Sequence, residues 1–173
     1  KYKYAHNKKF IIEDIINSTN IKISKDIYSY VDKDYIPIDW QKDFKSGFRW
    51  SAKDWYLNQR NSLVGVDIKV PWEIGRLQHL PQLAIFAIGS DEKEKYIKEF
   101  RNQMLDFIAL NPPRFGVQWT CTMDVGIRVA NMLLAYDMFI QIDNSNILDN
   151  KFKEIFTKNI YEQIGRASCR ERV

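Results

Sequence analysis

The pattern of apolar and polar positions divides the chain into an irregular first part and a strongly helical second part. From Pro71 onward, apolar residues recur at three- and four-residue steps, the spacing that places them on one side of an α-helix. It predicts a first helix over residues 72–88, opened by Pro71, whose missing N–H costs nothing in a first turn, with Leu77, Leu80, Ala84 and Ala87 facing a core. Gly89-Ser90-Asp91 supplies a stop and a new start. A second helix is expected over residues 92–110, with Tyr96, Phe100, Met104, Phe107 and Ile108 inward, ended by Asn111-Pro112-Pro113. A third is expected over 120–142, with Met123, Ile127, Ala130, Leu134 and Met138 inward. A fourth is expected over 147–163, on Leu148, Phe152, Ile155, Phe156 and Ile160. Long helices joined by short turns read as stacked helical hairpins.

The first part is less periodic. Residues 6–17 form a short helix candidate on Phe10, Ile11, Ile12, Ile15 and Ile16. Residues 20–38 show weak alternation through Ile21, Ile23, Ile27, Tyr28 and Tyr30, which suggests a short hairpin. Residues 37–58 carry Trp40, Trp50, Trp55 and several other aromatic rings without a period. They read as a long loop packed across a helical body. Sugar stacking is one use for the three tryptophans, and core packing of at least two is the other. Seven glycines are few for a turn-rich β fold, so the fold class is all-α.

Two polar rows interrupt the apolar helices. Trp72, Arg76 and His79 stand at i, i+4 and i+7 of the first, hence on one side of a continuous helix. An aromatic ring, a guanidinium and an imidazole together suit an anionic sugar: a flat apolar surface, a bidentate grip on carboxylate or sulfate, and a group that titrates near neutrality. The plainer alternative is that Trp72 is core, Arg76 pairs with Glu73 and His79 is an ordinary helix residue. Asp124, Arg128 and Asn131 repeat the spacing on the third helix, with Trp119 just before it. Asp124 and Arg128 could equally be a simple i, i+4 ion pair. If both rows face one cleft, they form a wall of arginine, tryptophan and histidine.

Composition narrows the classes. The chain is 45 % hydrophobic and 14 % aromatic, which excludes a disordered polypeptide. No apolar run reaches the roughly 18 residues of a membrane-spanning helix, so no membrane segment is expected. Residues 164–173, Ile-Gly-Arg-Ala-Ser-Cys-Arg-Glu-Arg-Val, match one reading frame of a common short-read sequencing adapter. Excluding them gives a natural part of 1–163, a fragment whose native chain runs on past Gln163. The formal net charge of +4 then falls to +2, too mild to support a nucleic-acid partner. Cys121 becomes the only cysteine, which excludes an intrachain disulfide and a cysteine-based zinc site, and neither a metal nor a cofactor is expected.

Three blocks carry a family resemblance: Ile38-Asp-Trp-Gln-Lys-Asp-Phe-Lys-Ser-Gly-Phe-Arg-Trp, Trp72-Glu-Ile-Gly-Arg-Leu-Gln-His-Leu, and Asn111-Pro-Pro followed by Gly116-Val-Gln-Trp-Thr-Cys-Thr-Met-Asp-Val-Gly-Ile-Arg. Over roughly residues 28–163 the sequence resembles the N-terminal helical domain of the heparinase II/III-like proteins. The family pattern commonly has Asn where this chain has Gln118 and Glu where it has Asp124. The resemblance implies an incomplete (α/α) toroid of helical hairpins, followed by a mostly β C-terminal domain of the same chain. It also implies a polysaccharide lyase acting by β-elimination on uronic-acid glycans, periplasmic or secreted. In such lyases an Asn, sometimes with Arg, neutralises the uronate carboxylate, and Tyr and His move the protons. Their Asn-His helix would follow Gln163, so no catalytic base is assigned here. The expected substrate contacts are Trp72, Arg76, His79, Trp119, Arg128 and Asn131, with Glu73 and Asp124 orienting the arginines. A non-catalytic domain for glycan binding or exopolysaccharide assembly is the competing reading. A glycoside hydrolase would need two carboxyl groups at the cleft. Glu73 and Asp124 are the local candidates, and each has an arginine in helical reach that would hold it ionised.

Overall fold

The structure, a computed structural model, describes residues 11–59 and 63–168. Its helices are α1 (Ile12–Ile15), α2 (Ile21–Tyr28), α3 (Lys69–Gly75), α4 (His79–Ile88), α5 (Lys93–Leu110), α6 (Thr122–Ile140) and α7 (Asn150–Ser168). Two 3-10 turns, Tyr56–Asn58 and Val117–Trp119, lie between them. Among the described residues there is no β-strand, only isolated bridges joining Lys42 to Arg49 and Trp55 to Phe115. The fold is all-α. Helix α4 packs on α5 and α6, α7 packs on α5 and α6, and α2 covers the other side of α5.

Helix α5 is the centre of the molecule. Phe100, Met104, Phe107 and Ile108 are buried as its period requires, and Ile97, Leu105 and Leu110 join them. Phe100 stacks on Phe139 of α6 at 4.6 Å and meets Phe152 of α7 edge-on at 6.0 Å. Helix α7 starts at Asn150 and buries Phe152, Ile155, Phe156 and Ile160, with Leu148 buried just ahead of it, and its Phe152 and Phe156 flank Tyr136 of α6.

Several expectations for the first part and for α6 are corrected. Helix α1 is one turn only. Its chain turns extended at Ile16, in a run of β-branched isoleucines with low helix propensity. Phe10 and residues 6–9 of that candidate lie outside the described residues. The hairpin expected over 20–38 is instead helix α2. Ser24, Ile27 and Tyr28 make its inner side at helical spacing, with Val31 buried just past its end, and the Asn17 side-chain Oδ1 accepts the Asn20 N–H at 3.2 Å ahead of its first turn. On α6, Met123, Ala130 and Leu134 are exposed, Met123 by 60 % and Leu134 by 52 %. The side that enters the body carries Asp124, Val125, Arg128, Val129, Met132, Ala135 and Phe139. This helix is apolar nearly all round, so a row of apolar residues does not identify its inner face.

The aromatic segment between α2 and α3 packs across α5 through polar ties. The buried Asp106 carboxylate accepts both the Ile38 N–H and the Trp40 indole N–H at 3.0 Å. Trp40 then meets Phe107 edge-on at 5.0 Å. Trp40 and Trp50 are buried, and Trp55 is partly exposed.

Candidate functional site

The helix expected over 72–88 is broken. Helix α3 ends at Gly75, and Leu77 adopts φ 56°, the left-handed conformation that closes a helix C-terminus and is usually left to glycine. A non-glycine residue there costs roughly 1–2 kcal/mol. The fully buried Leu77 side chain contributes roughly 2–3 kcal/mol of burial in return. The break separates the polar row. Arg76 turns toward α6, where its Nε donates to Asp124 at 2.5 Å. His79 turns toward α5, with its Nε2 2.6 Å from Gln103 Oε1. Trp72 is half-buried and donates its indole N–H to the Val117 carbonyl at 3.0 Å.

Arg76 joins the two rows. Its Nη1 donates to Glu73 at 2.5 Å, so two carboxylates share one guanidinium, and Asn131 donates to the Arg76 carbonyl at 2.8 Å. The plain expectation that Arg76 pairs with Glu73 therefore holds, with Asp124 added from the second row. The two acids differ in surroundings: the Glu73 side chain is 56 % exposed and that of Asp124 is 3 % exposed. The hydrogen bond to Asp124 raises the Arg76 pKa, opposed by partial burial and helped by both negative charges. Cys121 sits beside the same carboxylate. Burial and its hydrogen bond to Asp124 raise the thiol, which therefore stays protonated at neutral pH and is a poor nucleophile.

Trp119 and Arg128, expected to contact substrate, are instead fully buried and offer a ligand no surface. The interior needs both, because the chain crosses itself there. Arg128 Nε donates to Gln163 Oε1 at 2.7 Å, Nη2 to the Gln118 carbonyl at 2.8 Å, and Nη1 to the Gly75 carbonyl at 3.1 Å and Gln118 Oε1 at 3.3 Å. Its guanidinium lies over the Phe107 ring at 4.7 Å. Burial pushes Arg128 down to about 9, with the Asp124 charge acting the other way, so it remains a cation at neutral pH. The Trp119 indole N–H is taken by the Asn111 carbonyl at 3.1 Å. Both side chains thus stand behind the surface row.

Sequence reasoning missed the buried amides of this knot. Gln118 Nε2 donates to the carbonyls of Trp40 at 2.6 Å and Pro71 at 2.9 Å. Gln41 accepts the Val117 N–H at 2.9 Å and donates to Asn111 at 2.7 Å. Gly116, at φ 77°, and Gly75 leave room for these amides, since a Cβ would fall 2.8 Å from Gln41 Oε1 and 1.7 Å from Gln118 Oε1 respectively. The available signal was that Gln41, Gly75, Gly116 and Gln118 all lie within the three family-like blocks.

A described groove lies elsewhere. A cavity of about 1080 Å³ runs between α2, α7 and the Pro112-Pro113 turn, bordered by Lys22, Lys158 and Phe115 and by none of the expected contact residues. Among the described residues no group of three or more His, Cys, Asp or Glu side chains could hold a metal ion. No described helix is long and apolar enough to cross a membrane. Helix α7 continues to Ser168, beyond Gln163, and Arg166 reaches the Trp119 carbonyl at 3.3 Å. Cys169 and the rest of the tail lie outside the described residues.

No curated protein and no solved structure matches the chain. The three sequence blocks converge on the Gln118–Arg128 knot and on the Arg76 cluster beside it, and the family model described as Heparinase II/III N-terminus spans both, matching residues 2–165. The chain belongs to the heparinase II/III N-terminal family.

Proposed function

We propose that this chain is the helical part of a polysaccharide lyase that cleaves uronic-acid-containing glycans by β-elimination. The observation that carries the reading is the family match over residues 2–165. On this reading α4/α5 and α6/α7 are consecutive hairpins of an (α/α) toroid, which further helices and a β-rich domain of the same chain complete. Exposed Leu133 and Leu134 on α6 give those helices an apolar face to cover. On this reading the complete protein is periplasmic or secreted.

Elimination needs three acts: neutralising the uronate carboxylate, removing the C5 proton, and protonating the departing oxygen. The chain contributes a wall of the cleft, and no catalytic base or acid is assigned within it. Trp72, Arg76, His79 and Asn131 line that wall. Glu73 and Asp124 fix the direction of Arg76, while Trp119 and Arg128 brace the wall from inside. Glu73 and Asp124 do not serve as a hydrolase pair, because both are committed to the same guanidinium.

The sharing of Arg76 also favours a second reading, a non-catalytic glycan-binding or exopolysaccharide-assembly domain. A cation already shared by two carboxylates suits modest recognition better than charge stabilisation in a transition state. The complete gene, expressed and incubated with heparan sulfate, chondroitin sulfate and alginate, separates the two. Ultraviolet absorbance of an unsaturated uronate product supports the lyase. Binding of an acidic glycan without that product supports the second reading. Neither binding nor product refutes both.

A further inference from the structure

His79, Gln103 and Glu99 form a hydrogen-bonded row across the α4–α5 contact. His79 Nε2 lies 2.6 Å from Gln103 Oε1, and Gln103 Nε2 donates to Glu99 Oε1 at 2.7 Å. Glu99 and Gln103 are one turn apart on α5, and the Gln103 side chain is buried.

The row admits one arrangement of protons. An ionised carboxylate only accepts, so the Gln103 NH2 must face Glu99. The Gln103 carbonyl oxygen then faces His79, and since that oxygen also only accepts, the hydrogen between them belongs to His79 Nε2. Turning the amide over would set its oxygen against the carboxylate, a repulsion that burial makes worse. A neutral imidazole carries one N–H, so its lone pair is on Nδ1. His79 is exposed, and Nδ1 has no hydrogen-bond partner among the described residues.

We propose that Glu99 and Gln103 are positioning residues that lock His79 as its Nε2–H tautomer, so that the exposed imidazole presents Nδ1 as a hydrogen-bond acceptor to a hydroxyl of a bound sugar chain. The lock stands on the geometry alone, and the sugar contact rests on the function proposed above. An ordinary surface histidine exchanges between tautomers and offers either nitrogen. A fixed one accepts at a defined point, which suits a hydroxyl group at a defined position on a sugar ring.

The test is nitrogen-15 NMR of the imidazoles, with His79 identified by its loss in His79→Gln. The expected result is a slowly exchanging Nε2–H proton and an Nδ1 shift of the unprotonated type. In Glu99→Gln, which frees the amide to turn, the Nε2–H signal should broaden and the Nδ1 shift should move toward the average of free histidine. A wild-type Nδ1–H tautomer, or tautomer averaging in the wild type, overturns the lock whatever the variants do. A heparin-derived tetrasaccharide is then titrated into the complete protein while the His79 Nδ1 and Trp72 indole signals are followed. Movement of both supports the sugar contact. Movement of Trp72 alone overturns that contact and leaves the proposed function standing, whereas no binding by any readout overturns both.

Discussion

Replacing Gly75 with alanine isolates the buried knot in a single methyl group. Glycine inside or at the end of a helix is ordinarily a weak point, and alanine gains up to about 1 kcal/mol there. At Gly75 the sign should reverse. The new Cβ would lie 1.7 Å from Gln118 Oε1 and 2.5 Å from its Cδ, so the Gln118 side chain has to leave. Its departure breaks the bonds to the Trp40 and Pro71 carbonyls and withdraws Oε1 from Arg128. Each buried polar group left unpaired costs roughly 1–3 kcal/mol, and overpacking adds roughly 1–3 kcal/mol. After the alanine gain and partial relaxation, Gly75→Ala should destabilise by roughly 2–5 kcal/mol. Urea unfolding of the chain, followed by circular dichroism and tryptophan fluorescence, measures it. Gly126→Ala is the control, because a Cβ at Gly126 in α6 meets nothing within 4 Å and should stabilise by roughly 0.5–1 kcal/mol. A Gly75→Ala, Gln118→Ala double variant should recover part of the loss, since the obstructing side chain is gone. If Gly75→Ala is as stable as the wild type or more so while Gly126→Ala gains as expected, the close approach of Gln118 does not exist.

Three further outcomes are expected. Arg128→Lys keeps the charge but loses the fork that reaches Gln163, Gln118 and Gly75; it should cost roughly 3–5 kcal/mol in urea unfolding, and a loss below one would show that the fork contributes little. Asp124→Asn should lower stability by roughly 1–3 kcal/mol, whereas Glu73→Gln, on the exposed side of the same arginine, should stay within about 1 kcal/mol; equal losses would contradict the burial difference. Burial raises the Asp43 carboxyl, but the Ser46 hydroxyl and the N–H groups of Asp67, Lys45 and Ser46 outweigh it and hold its pKa low. A depressed folded pKa stabilises above the unfolded value, about 3.9, and the contribution is lost as pH falls through the folded one. The stability gap between wild type and Asp43→Asn should therefore close below roughly pH 4, and a gap that stays constant into acid would remove Asp43 from that role.

How much was legible in the sequence follows from how one-sided each segment is. Helices α5 and α7 alternate sharply between charged and apolar positions, so their buried sets, from Phe100 to Ile108 and from Phe152 to Ile160, could be read directly. Helix α6 has apolar residues on both faces, and its inner side is chosen by the partners of Asp124 and Arg128. The break at Leu77 left no mark because the residue in the left-handed position is not glycine; burial of a leucine decides it, and burial is a tertiary quantity. That break also sent Arg76 and His79 to different neighbours, which no helical spacing could anticipate. Arg128 and Trp119 look like ligand-binding residues because arginine and tryptophan serve both recognition and interior bracing, and only the surrounding carbonyls distinguish the two. The two polar rows meet at Arg76, which donates to Asp124 and whose carbonyl accepts from Asn131.

The Gln118 side chain has a consequence for how the chain folds. Its bonds to Trp40 and Pro71 span 78 and 47 residues of sequence, and the Val117–Gln41 bond spans 76. Helical proteins fold fast when their contacts are local, and long-range closures slow them. Here α4/α5 and α6/α7 can pair locally, but the middle of the molecule closes only when the aromatic segment arrives from far upstream. Until then the amide of Gln118 lacks its Trp40 partner and the Val117 N–H lacks Gln41, an unfavourable state in a nearly dry interior. The helical body and the irregular segment therefore form one cooperative unit, and the loop that looks like a late addition to the helices is the piece whose docking completes them.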